Sequence, residues 1–329
     1  MLILTTADLK RALTMPQAIT VVADAFAQLS TGQATVPLRP QLPVPQHDGL
    51  LLAMPAHLAG SDALGLKALT LFSRNPAARG IPAIAALVLL FDATDGRPLA
   101  LMDGGWLTAL RTGAASGAAT QILARPEARV LALFGAGAQA PEQVAAVCAV
   151  RPIAHIWLVN RTRAHAERLA EMLRLAGAPV PADVRIADSA AQALAEADVV
   201  CTATAATEPL FADTALRPGT HLNAVGAYRH DMRELPGAAV ARARVFVDAR
   251  AAAEAEAGDL LLARAEGLIG ADHVAAELGE VLLGRVPGRS SASEITLFKS
   301  VGSAAQDIAI AHLAYQRARE LGLGVEVAL

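Results

Sequence analysis

The segment Val130–Ala140, VLALFGAGAQA, joins an apolar run to the spacing Gly135-x-Gly137-x-x-Ala140. In such a turn the first glycine permits a tight bend and the second lets the backbone approach a pyrophosphate. A small third residue allows the following helix to pack closely on the strand. Because a strand pattern precedes this turn and a helical pattern follows it, we expect a dinucleotide-binding turn. The alternative is a glycine-rich turn of another α/β protein.

The residues after the next predicted strand bear on which dinucleotide binds. A site specific for NAD carries an acidic residue near this point, which bonds the 2′-hydroxyl of the ribose. Here the strand HIWLV is followed by Asn160, Arg161 and Thr162, with no carboxylate. Since a guanidinium can bind a phosphate with two parallel hydrogen bonds, the segment predicts NADP(H) in preference to NAD(H). The alternative is a solvated loop in which the arginine is incidental.

Three cations lie in otherwise apolar segments: Lys67 in LGLKALTL, Arg111 in LTALRT and Arg39 in VPLRPQLPVP. A charge buried in such a segment must be paired or must face a cavity, because uncompensated burial costs several kcal/mol. If the three converge, they would bind a substrate that bears a carboxylate. For Lys67 taken alone, a surface lysine whose ammonium group reaches solvent is an equal alternative.

These side chains require two kinds of scaffold. Between Arg129 and Val247 strand and helix patterns alternate, which predicts an α/β fold with a doubly wound parallel sheet. Earlier segments at Leu50–Met54, Ala63–Thr70 and Ala83–Phe91 predict a separate antiparallel or mixed sheet, and Asp95-Gly96 predicts a hairpin. A last helix is expected over Val301–Glu320. We therefore predict two domains, residues 1–120 with 300–329 and residues 121–299.

The composition restricts the class of protein. The 329 residues include no apolar run of about 18, and the N-terminus lacks a basic stretch before its apolar residues, so neither a membrane span nor a signal peptide is expected. The two cysteines, Cys148 and Cys201, lack metal-ligand spacing, which favours a reduced, cytoplasmic protein without a metal site. With a net charge of −3 and no basic tract, nucleic acid is not an expected partner.

Four motifs in order carry a family resemblance. They are KALTLFSRNPAARGIPA (67–83), LMDGGWLTALRTGAA (101–115), GAGAQA (135–140) and ITLFKSVG (295–302). The chain resembles the ornithine cyclodeaminase/μ-crystallin family over nearly its whole length. The resemblance implies a central Rossmann domain that binds NADP(H) and a second α+β domain for substrate binding and dimerisation, with a homodimer formed through the sheets of that second domain.

The resemblance also assigns residues. It places Arg39, Lys67 and Arg111 at the positions that hold the substrate carboxylate beside the nicotinamide, and it makes the Asn160–Thr162 loop similar to the 2′-phosphate loop of the family's NADPH-dependent ketimine reductases. The positions implied to contact the cofactor are Thr112, Gly135, Gly137, Ala138, Gln139, Asn160, Arg161, Thr162, Thr202, Thr204, Val225 and Ser300.

One departure from the family pattern bears on the activity. Cyclodeaminases of the family carry an aspartate shortly after the strand that leads to Gly226, and here the aligned residue is Tyr228. A tyrosine is not ionised near neutral pH and cannot replace a carboxylate as a general base. Asp231 follows in DMREL, a stretch that resembles the family's reductases. The cyclodeaminase interpretation is therefore weakened.

The resulting hypothesis is NADPH-dependent reduction of a small cyclic ketimine carboxylate, Δ1-pyrroline-2-carboxylate and/or Δ1-piperideine-2-carboxylate, to proline or pipecolate. Lys67, with a pKa lowered by two flanking arginines, would pass a proton to the imine nitrogen, or would only bind the carboxylate while water supplies the proton. His57 and Glu256 are weaker candidates for the same pocket. The alternatives are an ornithine cyclodeaminase, an alanine-type amino-acid dehydrogenase and a ligand-binding protein without catalysis.

Overall fold

A computed structural model describes residues 1–328 of the chain. The strands are β1 Leu2–Leu4, β2 Ala34–Thr35, β3 Gln41–Val44, β4 Gly49–Leu58, β5 Ala63–Phe72, β6 Ile84–Asp92, β7 Pro98–Asp103, β8 Val130–Phe134, β9 His155–Val159, β10 Val184–Ile186, β11 Val199–Thr202, β12 His221–Ala224, β13 Arg244–Val247, β14 Val274–Glu277, β15 Thr296–Lys299 and β16 Val325–Glu326. The helices are α1 Thr6–Ala12, α2 Met15–Thr31, α3 Asn75–Arg79, α4 Gly104–Leu123, α5 Ala140–Val150, α6 Arg163–Ala176, α7 Ala190–Leu194, α8 Gly237–Arg242, α9 Arg250–Glu256, α10 Gly258–Ala265, α11 Leu278–Leu282 and α12 Ala304–Leu321.

The chain divides into two compact units. Unit 1 consists of Met1–Arg111 together with the segment from Ser303 to the end of the described chain, and unit 2 consists of Thr112–Gly302. The division along the chain falls inside α4, so Arg111 is the last residue of the first part of unit 1. Within residues 1–328 no helix is both long and apolar enough to cross a membrane.

Unit 1 is built on a mixed sheet with the order β16-β1-β7-β6-β5-β4-β2, in which β3 also pairs with β4. Only β1 and β7 run parallel, and β6 and β7 form the hairpin that Asp95-Gly96 predicted. Helix α12 packs on strands β4 and β5 and on α2. Ser303 caps this helix by accepting a hydrogen bond from the Ala305 N–H at 3.3 Å. One face of the sheet is thereby covered.

Strand β4 extends four residues beyond its predicted end at Met54. Proline normally ends a strand because it lacks an N–H for the ladder. Pro55 is tolerated because β3 pairs with residues 49–52 of β4 and β2 pairs with residues 57 and 58. The proline therefore occupies a gap between these two ladders, opposite Leu66 of β5 on its other side.

Unit 2 contains an entirely parallel sheet with the order β10-β9-β8-β11-β12-β15-β13-β14. Alternate residues of its central strands enter two separate cores: Ala132 and Phe134 pack on one face, and Leu131 and Leu133 pack on the other. Burial on both faces explains why these strands read as continuous apolar runs. The strand order reverses at β8 and β11, and ligands of such sheets bind outside the carboxyl ends of the strands at that point.

Candidate functional site

Lys67 is buried in unit 1. Strand β5 points it to the face covered by α12, in register with Met54 of β4 and Val88 of β6. The side chain is 1% exposed, and its Nζ lies 2.6 Å from Oδ2 of Asp307 on α12. The surface-lysine alternative is therefore wrong.

Asp307 joins this lysine to Arg111. Its Oδ1 accepts a hydrogen bond from Arg111 Nε at 3.0 Å, and Arg111 Nη1 donates to Oε1 of Gln306 at 2.8 Å. Both carboxylate oxygens of Asp307 therefore bind cations, and its side chain is fully buried. This pairing compensates the burial of the charges and fixes both cationic groups.

Arg39 lies between β2 and β3 and is half-buried. Its positive charge lowers the pKa of Lys67, so the guanidinium lies within electrostatic reach of the ammonium group. The structure thus brings Lys67 and Arg111 onto one carboxylate, with Arg39 within electrostatic reach of Lys67. His57 does not join them, because it occupies the opposite face of the sheet, in register with Leu64.

The pKa of Lys67 is lowered to about 8, chiefly because the side chain is buried. The charge and hydrogen bond of Asp307 oppose this shift, while Arg111 and then Arg39 add to it. The predicted lowering of the Lys67 pKa is confirmed, but the two arginines are not its main cause. Desolvation contributes most, and the arginines contribute less.

Sequence reasoning missed Asp307 and Gln306. They lie in the first turns of α12, just after the ITLFKSVG motif, in a stretch that is otherwise alanine and isoleucine. The available signal was an acidic residue in an apolar helix, since such a residue needs a cationic partner. Which cation it meets depends on tertiary contact, because Asp307 lies 240 residues from Lys67 along the chain.

The glycine turn of unit 2 has the geometry that its spacing predicts. Gly135 adopts φ +104°, and a Cβ there would lie 2.6 Å from the carbonyl oxygen of Ala203. Gly137 faces open space, since a Cβ there would meet no other atom within 4 Å, and Ala138 is exposed. The buried Ala140 begins α5. Exposed backbone at the start of a helix fits the phosphates of a dinucleotide.

Asn160 joins this turn to the loop after β9. Its Oδ1 accepts a hydrogen bond from the Ala136 N–H at 3.1 Å, and its Nδ2 donates to the carbonyl of Thr162 at 2.8 Å. Arg161 is exposed and makes no hydrogen bond or ion pair with residues 1–328, whereas Arg163 pairs with Glu167 and Asp188. Arg161 is therefore the cation of this loop that is available to a ligand.

The other predicted cofactor residues also lie in unit 2. Thr202 is the last residue of β11 and Thr204 follows it, Val225 follows β12 and Ser300 follows β15, all at the carboxyl edge of the parallel sheet. Thr112 lies in α4, and Gln139 lies just before α5. Three of the hydroxyl groups bind buried carboxylates. Thr202 and Thr204 donate to Glu234, and Ser300 donates to Asp248, each at 2.8 Å.

DMREL contains two carboxylates, and the pattern of the sequence singles out Asp231, the exposed one. Asp231 pairs with Arg229, whereas Glu234 is fully buried. Tyr228 is half-buried and packs against the core on one face of the parallel sheet. Glu256 is the last residue of α9, also in unit 2.

The profile of the ornithine cyclodeaminase/mu-crystallin family matches residues 1–322. The chain belongs to this family. The Δ1-pyrroline-2-carboxylate reductase of Bacillus cereus is 39% identical over 99% of both chains, and the ketimine reductase mu-crystallin of the mouse is 40% identical over 88% of this chain and 87% of its own. A solved structure of the Thermococcus litoralis Δ1-pyrroline-2-carboxylate reductase, in complex with NADH and L-proline, superposes with a TM-score of 0.95 at 39% identity, covering 99% of this chain and all of that one.

Membership of the ornithine cyclodeaminase/mu-crystallin family confirms the resemblance seen in the motifs. The predicted α/β class and the predicted enzyme class, an oxidoreductase acting on a carbon–nitrogen bond, are confirmed as well. A nicotinamide dinucleotide cofactor is supported by the NADH complex of the Thermococcus protein. The choice between NADPH and NADH stays a prediction.

Proposed function

We propose that this chain reduces Δ1-pyrroline-2-carboxylate and/or Δ1-piperideine-2-carboxylate to proline or pipecolate, with NADPH as the preferred donor. We assign substrate binding to unit 1 and cofactor binding to unit 2. The observation that carries the proposal is the buried arrangement of Lys67 and Arg111 on Asp307, with Arg39 within electrostatic reach. The L-proline bound to the Thermococcus relative supports this substrate class.

The charges of the cluster suit a carboxylate substrate. Lys67, Arg111 and Arg39 are three cations, and Asp307 is the carboxylate that pairs with two of them. A surplus of positive charge in a buried setting attracts an anion more strongly than the same charges would in water. Asp307 and Gln306 already hold the guanidinium of Arg111 in place. Its side chain therefore needs little further ordering when the substrate binds.

Lys67 is suited to move a proton. With a pKa of about 8, roughly nine-tenths of the side chains carry a proton at pH 7, and the group gives it up more readily than an ordinary lysine. A bound reduced nicotinamide supplies the hydride that forms the new bond at the imine carbon. Lys67 then supplies the proton on nitrogen, directly or through one water. In the alternative role, Lys67 binds only the carboxylate and water provides that proton.

The decisive assay follows nicotinamide absorbance with pyrroline-2-carboxylate and with piperideine-2-carboxylate, and in parallel measures ammonia release from ornithine. The proposal expects oxidation of NADPH with at least one imine. Ammonia release without imine reduction would instead establish a cyclodeaminase. Oxidation of alanine that depends on NAD(P) would establish an amino-acid dehydrogenase, and cofactor binding without any turnover would establish a ligand-binding protein.

The preference for NADPH rests on Arg161, which is exposed and has no partner within residues 1–328. We expect Arg161→Ala to raise the Michaelis constant for NADPH about 10-fold or more and to change that for NADH little, since one charged hydrogen-bond partner of a phosphate is lost. Arg163→Ala is the matched control, because Arg163 is already paired with Glu167 and Asp188. Equal effects of Arg161→Ala on both cofactors would remove the 2′-phosphate assignment.

We also propose a homodimer through the uncovered face of the unit 1 sheet. This face is apolar: Leu66 of β5 and Leu87 and Leu89 of β6 share it, and Leu87 is 51% exposed. A second copy would remove this surface from water. Sedimentation velocity should give a dimer for the native chain and a monomer for Leu87→Asp. The matched control is Leu175→Asp on α6, where the leucine is 81% exposed. A native monomer would contradict the assignment.

The predicted cytoplasmic location is part of the proposal. Both cysteines are free and buried, which is in keeping with a reducing compartment.

A further inference from the structure

Glu234 is a buried carboxylate to which neither the sequence nor the proposed reaction gives a role. It lies between β12 and α8 and is fully buried. Its Oε1 accepts hydrogen bonds from the Thr204 N–H at 2.7 Å and the Thr204 hydroxyl at 2.8 Å. Its Oε2 accepts from the Thr202 hydroxyl and the Gly226 N–H, both at 2.8 Å. One side chain therefore ties the segment after β11 to the segment after β12.

The segments around this carboxylate pack without spare room. A Cβ on Gly226 would lie 2.4 Å from Glu234 Oε1 and 2.4 Å from the carbonyl oxygen of Thr204. A Cβ on Gly135 would lie 3.1 Å from Cγ2 of Thr204. Thr204 thus donates to the Glu234 carboxylate, and its methyl group lies beside Gly135, the first glycine of the dinucleotide motif. A shift of Glu234 would therefore move a residue that lies next to that turn.

The backbone of Glu234 is held in turn. Oδ1 of Asp259 accepts hydrogen bonds from the N–H groups of Glu234 at 2.7 Å and Leu235 at 2.9 Å, and Oδ2 of Asp259 lies 2.8 Å from Nζ of Lys299. Asp259 and Lys299 are fully buried. Lys299 is the last residue of β15, so the anchor reaches a third strand end at the same edge of the sheet.

Removing the charged carboxylate of Glu234 from water is unfavourable in free energy. Desolvation raises the pKa of its carboxyl group, and the Asp259 charge adds to this rise, while Lys299 and the Thr204 hydrogen bonds oppose it. Well-packed apolar residues in place of a buried charged group are often no less stable, so a gain in stability does not by itself account for Glu234.

We propose that Glu234 is a positioning residue for the dinucleotide: it sets the segments after β11 and β12 against the glycine turn, and so determines how tightly the cofactor is held. The inference rests on the proposed cofactor role of unit 2. It concerns a part of the dinucleotide site shared by NADH and NADPH, whereas Arg161 concerns only the 2′-phosphate.

Glutamine cannot take over this position. Each oxygen of Glu234 accepts one backbone N–H, from Thr204 on one side and Gly226 on the other. In Glu234→Gln one of the two must face the amide NH2 group, and a donor cannot bond a donor. The matched control is Glu266→Gln, which removes an exposed carboxylate that pairs with the neighbouring residue Arg233.

The test measures dissociation constants for NADH and NADPH by fluorescence titration of the full chain, with steady-state kinetics on the imine and thermal unfolding. We expect Glu234→Gln to weaken the binding of both cofactors equally, by about 10-fold or more, since hydrogen bonds from the Thr204 and Gly226 segments to a charged acceptor are lost. The Michaelis constant for the imine should change less than 2-fold, and Glu266→Gln should match the native chain. A purely structural role would lower the unfolding temperature and leave the affinity of the folded protein unchanged.

A milder variant tests the inference if Glu234→Gln does not fold. Thr202→Val removes one hydroxyl donor and leaves the backbone donors in place, and about a 3-fold loss of affinity for both cofactors is expected. Native affinity in a folded Glu234→Gln, or in Thr202→Val if the former does not fold, would overturn the inference while the proposed function stands. If the native chain binds neither cofactor, the proposed function fails and the inference fails with it.

Discussion

Replacing Asp307 by asparagine separates the two roles left open for Lys67. The change removes one negative charge 2.6 Å from the ammonium group and keeps the shape of the side chain. An opposite charge at such a distance raises the pKa of a lysine by about 1–3 units. The pKa of Lys67, about 8 in the native protein, should therefore fall to roughly 6. Neutral Lys67 can then accept a hydrogen bond from the new amide.

The expected loss of activity follows from the protonated fraction of Lys67. At pH 7.5 a pKa of about 8 leaves about three-quarters of the side chains protonated, whereas a pKa near 6 leaves about 3%. If Lys67 donates the proton, activity falls as pH rises through its pKa. Asp307→Asn should then lower kcat/KM roughly 25-fold at pH 7.5 and move the alkaline limb of the pH profile down by about 2 units.

The measurement is kcat/KM for imine reduction between about pH 5 and 9.5, with saturating cofactor, for the native protein and two variants. Asp231→Asn, which breaks an exposed ion pair with Arg229, is the control and should keep the native profile. A folded Asp307→Asn protein whose alkaline limb stays in place would refute the reasoning. Lys67 would then bind the carboxylate only, and water would supply the proton.

Two further predictions concern unit 2. Gly135→Ala should abolish detectable dinucleotide binding in fluorescence titration and lower the free energy of unfolding by about 2 kcal/mol or more, because φ is +104° and the new Cβ would lie 2.6 Å from the Ala203 oxygen; normal binding would contradict the assigned turn. His221 is buried between Thr296 and Asn223, and burial lowers its pKa to about 3. In the unfolded chain His221 takes up a proton near pH 6.5, so neutral His221 contributes its full share to the free energy of unfolding only above pH 6.5. This share falls by about 1 kcal/mol per pH unit as the pH drops towards 3. Denaturant titrations at several pH values should find a smaller slope in His221→Gln.

Local patterns in the sequence were enough for much of the fold. The turn at Gly135 and the hairpin at Asp95-Gly96 follow from backbone preferences that act over a few residues. The parallel strands of unit 2 follow from apolar runs buried on both faces. The end of β4 was predicted too early, because whether Pro55 breaks the strand depends on where β2 and β3 pair with it.

The residues that pair with the candidate functional residues could not be predicted from local sequence patterns. Lys67 and Arg111 could be singled out as charges in apolar segments, but Asp307, which contacts both, lies 240 and 196 residues away along the chain. In DMREL the sequence holds two carboxylates three residues apart, and which one is buried depends on Asp259 and Lys299 from elsewhere in unit 2. Side-chain chemistry is local, whereas desolvation and pairing depend on the assembled fold.

The two-part make-up of unit 1 has a consequence for biosynthesis. Unit 2 is one continuous segment, so a ribosome delivers all of it before α12 emerges. Helix α12 covers the sheet face that holds Lys67, and β16 pairs with β1. Since domains generally fold as units during translation, unit 2 can fold before unit 1 is complete. The cationic cluster of unit 1 assembles only after translation has passed Asp307, so a nascent chain that ends before this residue lacks the cluster proposed to bind the substrate.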